Sequence, residues 1–457
     1  MKKIRTVFLP AEIFRRELIP KTVLAAFLSS LGYRVIFGHQ LYVTNYAFAN
    51  ARSGDFYFTN HPIQGRYAEY LKLIIQKGVH MIGTEEEGVF DSVDYDVRLA
   101  TESSEKSFEF FKMWMPWGLK DSNAVQRIAP RDLGMFQFGT TRSALWGEFG
   151  EKLYFREKEE IHRKYGNFVL IVTSFDSSIM SHKQAAMKAN YGNKVFTETV
   201  FESAARRVNS NPSLTKVIQT ILSILEESEL NVLIRPYGSS KERVLKTIKN
   251  VVGKAYKHRV FIDDRLQISP LIFASKAVIH LGSTAGVEAL CIGKNVISLD
   301  RFGSPDDHGT YTHISSLLSK SPTNTSSLIQ MLLYPSIEIK DEFREVLYKP
   351  SGITFYIELA NSLNNIEPNA FTRNVEYQKL TKSQRTYLQK LLPALRRSKM
   401  YKYDLHKRPK VTDCEIHTKF NDAMALFNSN EANLKLIKIE RNTYLVSSGK
   451  LDSGLMK

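Results

Sequence analysis

Three successive glutamates, Glu85, Glu86 and Glu87, followed by Gly88, stand directly behind an apolar run at 80–84. A carboxylate that is crowded by like charges and partly buried has a raised pKa, and such a group can take a proton from a hydroxyl near neutral pH. The same run also reads as a solvated helix start, because acidic residues favour a helix N-terminus. A second constellation lies at 277–290, where the apolar residues before His280 give way to a small-residue turn containing Gly282, Ser283 and Thr284, and then to a helical pattern. Free backbone N–H groups and a positive dipole end converge there, which suits a phosphate. The alternative is an ordinary strand-to-helix turn whose glycines serve packing.

Upstream, residues 232–237 read as another apolar strand, delivering Arg235 and Tyr237 at its carboxyl end, where ligands sit in open α/β sheets. His280 closes its strand either as a core histidine or as a phosphate contact, and Glu288, about one turn into the following helix, could face a ribose or a neighbouring helix. A base together with cationic donors, hydroxyls and a helix N-terminus is what group transfer from an activated sugar needs, since the departing phosphate must be stabilised electrostatically. There is no Walker loop, no Gly-x-Gly-x-x-Gly after the first strand, no His-Glu-x-x-His and no Cys-x-x-Cys. No metal or other cofactor is therefore expected, and Asp306, Asp307 and His308 read as a polar turn.

These groups need a scaffold. In the first third, short strands are expected at 6–9, 34–37, 55–59, 80–84 and 135–138, with helical patterns at 20–31 and 67–76 between them. A charged helical stretch at 148–165 leads to a second series: a strand at 168–173, a helix at 214–227, and strands at 231–235, 260–262, 277–280 and 295–299. Alternation of this kind predicts parallel sheets covered by helices on both faces. Two α/β domains follow, 1–155 and 166–350, with a helical, basic C-terminal extension over 351–457.

Composition is consistent with this plan. The 457 residues exceed one typical core, 43% hydrophobic content excludes a mostly disordered chain, and two cysteines imply no disulfide framework. That cysteine content fits a reducing cytoplasm, and the early apolar stretch at 23–31 is too short to span a bilayer, so a cytoplasmic protein, soluble or peripheral on the inner face of the membrane, is expected. The net charge of +16 points to an anionic partner. Within 373–410, twelve Lys and Arg face only Glu376 and Asp404, and leucines recur at helical spacing, describing a basic amphipathic helix. Such a helix could rest on anionic membrane lipid or pack against the domains.

Taken in order, Arg16-Glu17-Leu18 with Lys21, Gly32-Tyr33-Arg34-Val35-Ile36, Glu85 to Gly88, Trp117-Gly118, Phe168 to Phe175, Arg235-Pro236 and His280 to Ile297 resemble the bacterial surface carbohydrate biosynthesis proteins. That resemblance implies a GT-B fold, two Rossmann-like domains facing across a cleft. The acidic turn and the Ser-Thr pair are also similar to motifs of bacterial sialyltransferases and Kdo transferases. By that likeness Glu86 or Glu87 would be the base, and Ser283 with Thr284 would hold the donor phosphate. The middle motif departs from pattern: Arg235-Pro236-Tyr237-Gly238 stands where the surface carbohydrate proteins show Arg-Pro-His-Pro, so leaving-group stabilisation would rest more on Arg235.

The expectation is a glycosyltransferase of surface polysaccharide biosynthesis. It would take a nucleotide-sugar donor, such as a CMP-linked sugar acid, to a glycan or lipid-linked glycan acceptor. A UDP-sugar epimerase of similar architecture is the first alternative. A nucleic-acid-binding protein is the second, and the absence of a recognised RNA or DNA module argues against it.

Overall fold

The computed structural model describes residues 4–60, 71–84, 86, 105–174, 213–237, 248, 250–252, 256–263, 267–299, 302, 314–335, 342–367, 412–427, 434–440 and 443–448. The chain divides into two compact units, one of Met1–Glu86, Asp96–Leu153 and Arg344–Lys457, the other of Glu87–Tyr95 and Tyr154–Phe343.

The first unit is built on β1 (Thr6–Ala11), β2 (Arg34–His39), β3 (Phe56–Thr59), β4 (His80–Thr84), β5 (Phe111–Met115) and β6 (Gly134–Met135). These six strands run parallel in the order β2-β1-β3-β4-β5-β6. β1 is buried at every position, as a central strand covered on both faces must be. Strand order reverses between β1 and β3, and ligands of open α/β sheets bind beyond the carboxyl ends at such a point. The strand expected at 135–138 is the two-residue β6, and β5, which the sequence reading passed over, fills the place between β4 and β6.

The helix expected from Pro20 begins six residues earlier and spans Phe14–Ser30, with Pro20 in its interior. Proline is favoured in a helix's first turn and costs roughly 3 kcal/mol in its interior, so the sequence rule placed the start too late. Packing overrides that cost: Leu18, Ile19, Val23, Leu24 and Leu28 are all buried. The Glu17 carboxylate also bonds back to the amides of Glu12 and Ile13, at 2.9 and 3.0 Å, capping a helix end whose N-cap side chain, Ile13, cannot.

The described residues after 344 belong to this unit. They include the helices Ile353–Asn365 and Asp413–Leu426 and, in a stretch with weak sequence patterning, the antiparallel strands β12 (Leu434–Glu440) and β13 (Thr443–Ser448). β13 pairs antiparallel with β2, enlarging the sheet to eight strands, and Tyr444 stacks on Phe37 with ring centroids 5.3 Å apart.

The second unit carries β7 (Phe168–Ser174), β8 (Asn231–Tyr237), β9 (Val260–Ile262), β10 (Ala277–His280) and β11 (Asn295–Ser298). All run parallel in the order β11-β10-β7-β8-β9, the doubly wound Rossmann order, with its reversal between β7 and β10. Val169, Ile171, Val232, Ile234, Ile279 and Ile297 form the core, against which the helix Ser213–Glu227 lays Val217, Ile221 and Ile224 at helical spacing. Each such side chain contributes about 1.5–3 kcal/mol by leaving water. The charged stretch at 148–165 is two helices rather than one, Glu148–Leu153 and Phe155–Tyr165. Each unit is thus a Rossmann-like α/β fold, as a GT-B chain requires of its two domains.

Candidate functional site

At the carboxyl edge of the first sheet a buried polar cluster surrounds the reversal point. Lys21, one turn beyond Glu17 on the helix that follows β1, donates to Glu17 Oε2 at 2.9 Å, to Asn60 Oδ1 at 3.0 Å and to the Pro10 carbonyl. Pro10 ends the β1 side and Asn60 the β3 side, so one ammonium ties both strand ends together. Asn60 in turn donates to Glu17 Oε2 at 2.7 Å, and Arg16 lies 3.5 Å from Glu17 Oε1. These cations and amides overcome the desolvation of burial and hold the Glu17 carboxyl down to about 2.

Glu86 belongs to the same edge, two residues past the end of β4, and is fully buried. Its carboxylate is held differently. The Thr141 hydroxyl donates to Oε1 at 3.0 Å, and Arg142 donates to the backbone carbonyl at 2.8 Å. Among the described residues Oε2 has no hydrogen-bond partner. Burial raises the Glu86 pKa, Glu17 adds to the rise, and Lys21, Arg142 and Arg16 oppose it. A buried carboxylate with a raised pKa, one oxygen of which is unbonded among the described residues, is equipped to receive a proton from a group brought against it.

Sequence reasoning missed Thr141 and Arg142. The only signal for them was the short polar run Thr140-Thr141-Arg142-Ser143 after a glycine. Lys21 and Glu17 carried a clearer one, an i,i+4 charge pair in a helix that is largely apolar beyond it.

In the second unit, Gly282, Ser283 and Thr284 follow β10 at the reversal point of that sheet. Gly282 adopts φ +63°, turning the chain sharply, and its N–H donates to His280 Nδ1 at 3.1 Å. That bond makes Nδ1 the acceptor, so Nε2 carries the proton and donates to Ser319 Oγ at 3.1 Å. His280 is thus an internal strut, buried and bonded through both nitrogens. Ser283 caps the helix Thr284–Cys291, its Oγ accepting from Ala285 N at 3.2 Å, while its own N–H reaches Ser315 Oγ at 3.2 Å. The Ser283 hydroxyl keeps its proton to donate, and Thr284 adds a second hydroxyl at the first helical position.

Glu288, on the same helix, is buried and accepts from Ser269 Oγ on the neighbouring helix Ser269–Ala274. Arg235 is buried in β8 and pairs in register with Val172 of β7, which on its other side pairs with His280. Arg235 and His280 therefore stand at one level, two strands apart, about 10 Å at ordinary strand spacing. Tyr237 ends β8 opposite Ser174, and its side chain lies outside the described residues, as do Glu85, Glu87, the 306–308 cluster and the basic segment 373–410. Among the described residues no group of His, Cys, Asp and Glu could hold a metal ion, and no helix is long and apolar enough to cross a membrane.

No protein-family model matches the chain, and no curated protein does. Solved structures of similar fold include a variant of the wall teichoic acid polymerase TagF, with a TM-score of 0.50 and 9% identity over 79% of this chain and 88% of that one. HepE of Anabaena, in complex with UDP and glucose, gives 0.42 and 10% over 80% and 100%. The UDP-GlcNAc 2-epimerase of Methanocaldococcus jannaschii, in complex with UDP-GlcNAc and UDP, gives 0.46 and 10% over 79% and 100%. At that identity the TagF likeness is one of fold, and it agrees with the two-unit α/β architecture traced above.

Proposed function

We propose that the chain is a cytoplasmic glycosyltransferase of surface polysaccharide biosynthesis. It moves a sugar from a nucleotide-activated donor, of the CMP-linked sugar-acid class, to a glycan or lipid-linked glycan acceptor. The observation that carries this reading is Glu86: a buried carboxylate at the carboxyl edge of a parallel sheet, with one oxygen held by Thr141 and the other, among the described residues, without a hydrogen-bond partner. In the proposed reaction Oε2 takes the proton of the acceptor hydroxyl as the acceptor oxygen attacks the sugar. Glu87, beside it, is the alternative base on sequence grounds.

The donor phosphate is assigned to the turn Gly282–Thr284. The Ser283 and Thr284 hydroxyls and the N-terminal end of the helix they open would stabilise the charge of the leaving group, with Arg235 adding a cation and Tyr237 a hydroxyl. His280 holds that turn from beneath through Gly282, and Glu288 supports it by fixing its helix to Ser269. The basic segment 373–410 is proposed to bring the enzyme to anionic lipid, where lipid-linked acceptors reside.

A thermal-shift screen with CMP, UDP, GDP and their sugars tests the donor assignment, because a ligand that binds only the native state raises Tm. A selective shift with CMP or a CMP-sugar supports the reading, and no shift with any nucleotide rejects it. Acceptor-independent conversion of a UDP-sugar would point to the epimerase alternative instead.

A further inference from the structure

We propose that Thr141 and Arg142 are positioning residues for Glu86: Arg142 holds its main chain, and the Thr141 hydroxyl engages Oε1 so that Oε2 alone receives the proton. The inference rests on the reading of Glu86 as the base, and adds to it the two groups that orient the carboxylate and set its affinity for a proton.

The geometry assigns separate tasks to the two neighbours. Arg142 donates to the Glu86 carbonyl at 2.8 Å, a main-chain bond that fixes where the side chain leaves the backbone. The guanidinium is itself immobilised, with its central carbon 5.7 Å from the Trp117 ring and 5.4 Å from the Trp146 ring, and those two rings stack on each other at 5.2 Å. A cation held against two buried indoles has little freedom to move. Thr141, the preceding residue, reaches the carboxylate itself at 3.0 Å and is equally buried. A hydroxyl donating to one oxygen of a buried carboxylate favours the ionised form and removes that oxygen from competition.

The charged groups around Glu86 come from several elements: Glu17, Lys21 and Arg16 from the helix after β1, and Arg142 from the segment after β6. Lys21 spends its donors on Pro10, Glu17 and Asn60, and so acts on Glu86 only through space. Glu17 is ionised and repels it. Thr141 meets the Glu86 carboxylate directly, its hydroxyl donating to Oε1.

The test follows the Glu86 carboxyl carbon by NMR in protein labelled with 13C-glutamate, Glu86→Gln supplying the assignment. Removing the hydroxyl in Thr141→Val should move the Glu86 titration midpoint upward by about one pH unit, because the anion loses its donor. Thr141→Ser, which keeps the hydroxyl, should restore the wild-type midpoint. Thr141→Ala repeats the measurement if the valine variant fails to fold. A midpoint unchanged in a folded Thr141→Val or Thr141→Ala protein overturns the proposal, since a merely structural role would alter stability and leave the titration in place. If the midpoint moves as expected while Glu86→Gln transfers sugar normally, the positioning assignment stands and the base assignment falls.

Discussion

Lys21 Nζ lies 2.9 Å from Glu17 Oε2, one helical turn away, and both side chains are withdrawn from water. An ion pair in that setting is worth little against an apolar replacement of both partners, yet breaking it leaves an uncompensated buried charge. Lys21→Met should therefore destabilise the protein by about 3–5 kcal/mol, and Glu17→Gln combined with Lys21→Met by clearly less than the sum of the single changes. Chemical denaturation of the four proteins in the cycle measures this.

Glu17 and Glu86 also make opposite contributions to the pH dependence of stability. The Glu17 pKa is depressed from 4.5 to about 2 in the folded protein, so its contribution is complete above about 4.5 and is lost as pH falls toward 2. The Glu86 pKa is raised from 4.5, so stability associated with its protonated form is present below 4.5 and lost as pH rises through the folded value. Glu86→Gln should thus be at least as stable as wild type at neutral pH, with the difference shrinking on acidification. Melting curves at a series of pH values read the sign directly, and a neutral-pH loss of stability in the variant would contradict the raised pKa.

Gly286 sits where a Cβ would lie 2.7 Å from His280 Nε2 and 3.0 Å from Ser315 Cβ. In an unconstrained helix, Gly→Ala stabilises by up to about 1 kcal/mol. Here Gly286→Ala should lower Tm instead and weaken nucleotide binding, because the displaced His280 and Ser315 are the groups that hold Gly282 and Ser283. Calorimetry with and without nucleotide separates the two effects.

Asp413 joins the helix Asp413–Leu426 to the C-terminal hairpin, accepting from Tyr444 OH at 2.7 Å and Lys438 Nζ at 2.8 Å. Those bonds lower its pKa, but the ion pair is roughly half exposed and solvent screens it. Asp413→Ala should cost no more than about 1 kcal/mol globally. Its clearer signature should be faster amide exchange along β13 as the hairpin opens locally.

How far the sequence could be read depended on whether local pattern and tertiary packing agreed. β7, β10 and β11 are short apolar runs covered on both faces, so composition alone located them. The helix Phe14–Ser30 was misplaced because Pro20 imitates a helix start, whereas the true N-terminus is capped by Glu17 from inside the helix. The hairpin β12–β13 mixes lysines with leucine and isoleucine in a sheet-edge pattern too weak to recognise without its partner β2. The acidic run at 85–87 and the Ser-Thr pair stood out in the sequence because their residue types are unusual at strand ends. Thr141 and Arg142 were not, since a hydroxyl and a guanidinium in a loop acquire meaning only when β6 brings them beside the end of β4.

The most direct test of the central claim compares the rates of sugar transfer by wild type and Glu86→Gln, with the nucleotide-sugar identified by thermal shift and each protein confirmed folded. Loss of general-base catalysis should lower kcat by roughly 100-fold or more while donor binding is retained. A Glu86→Gln protein that transfers sugar at the wild-type rate would contradict the assignment of Glu86 as the base.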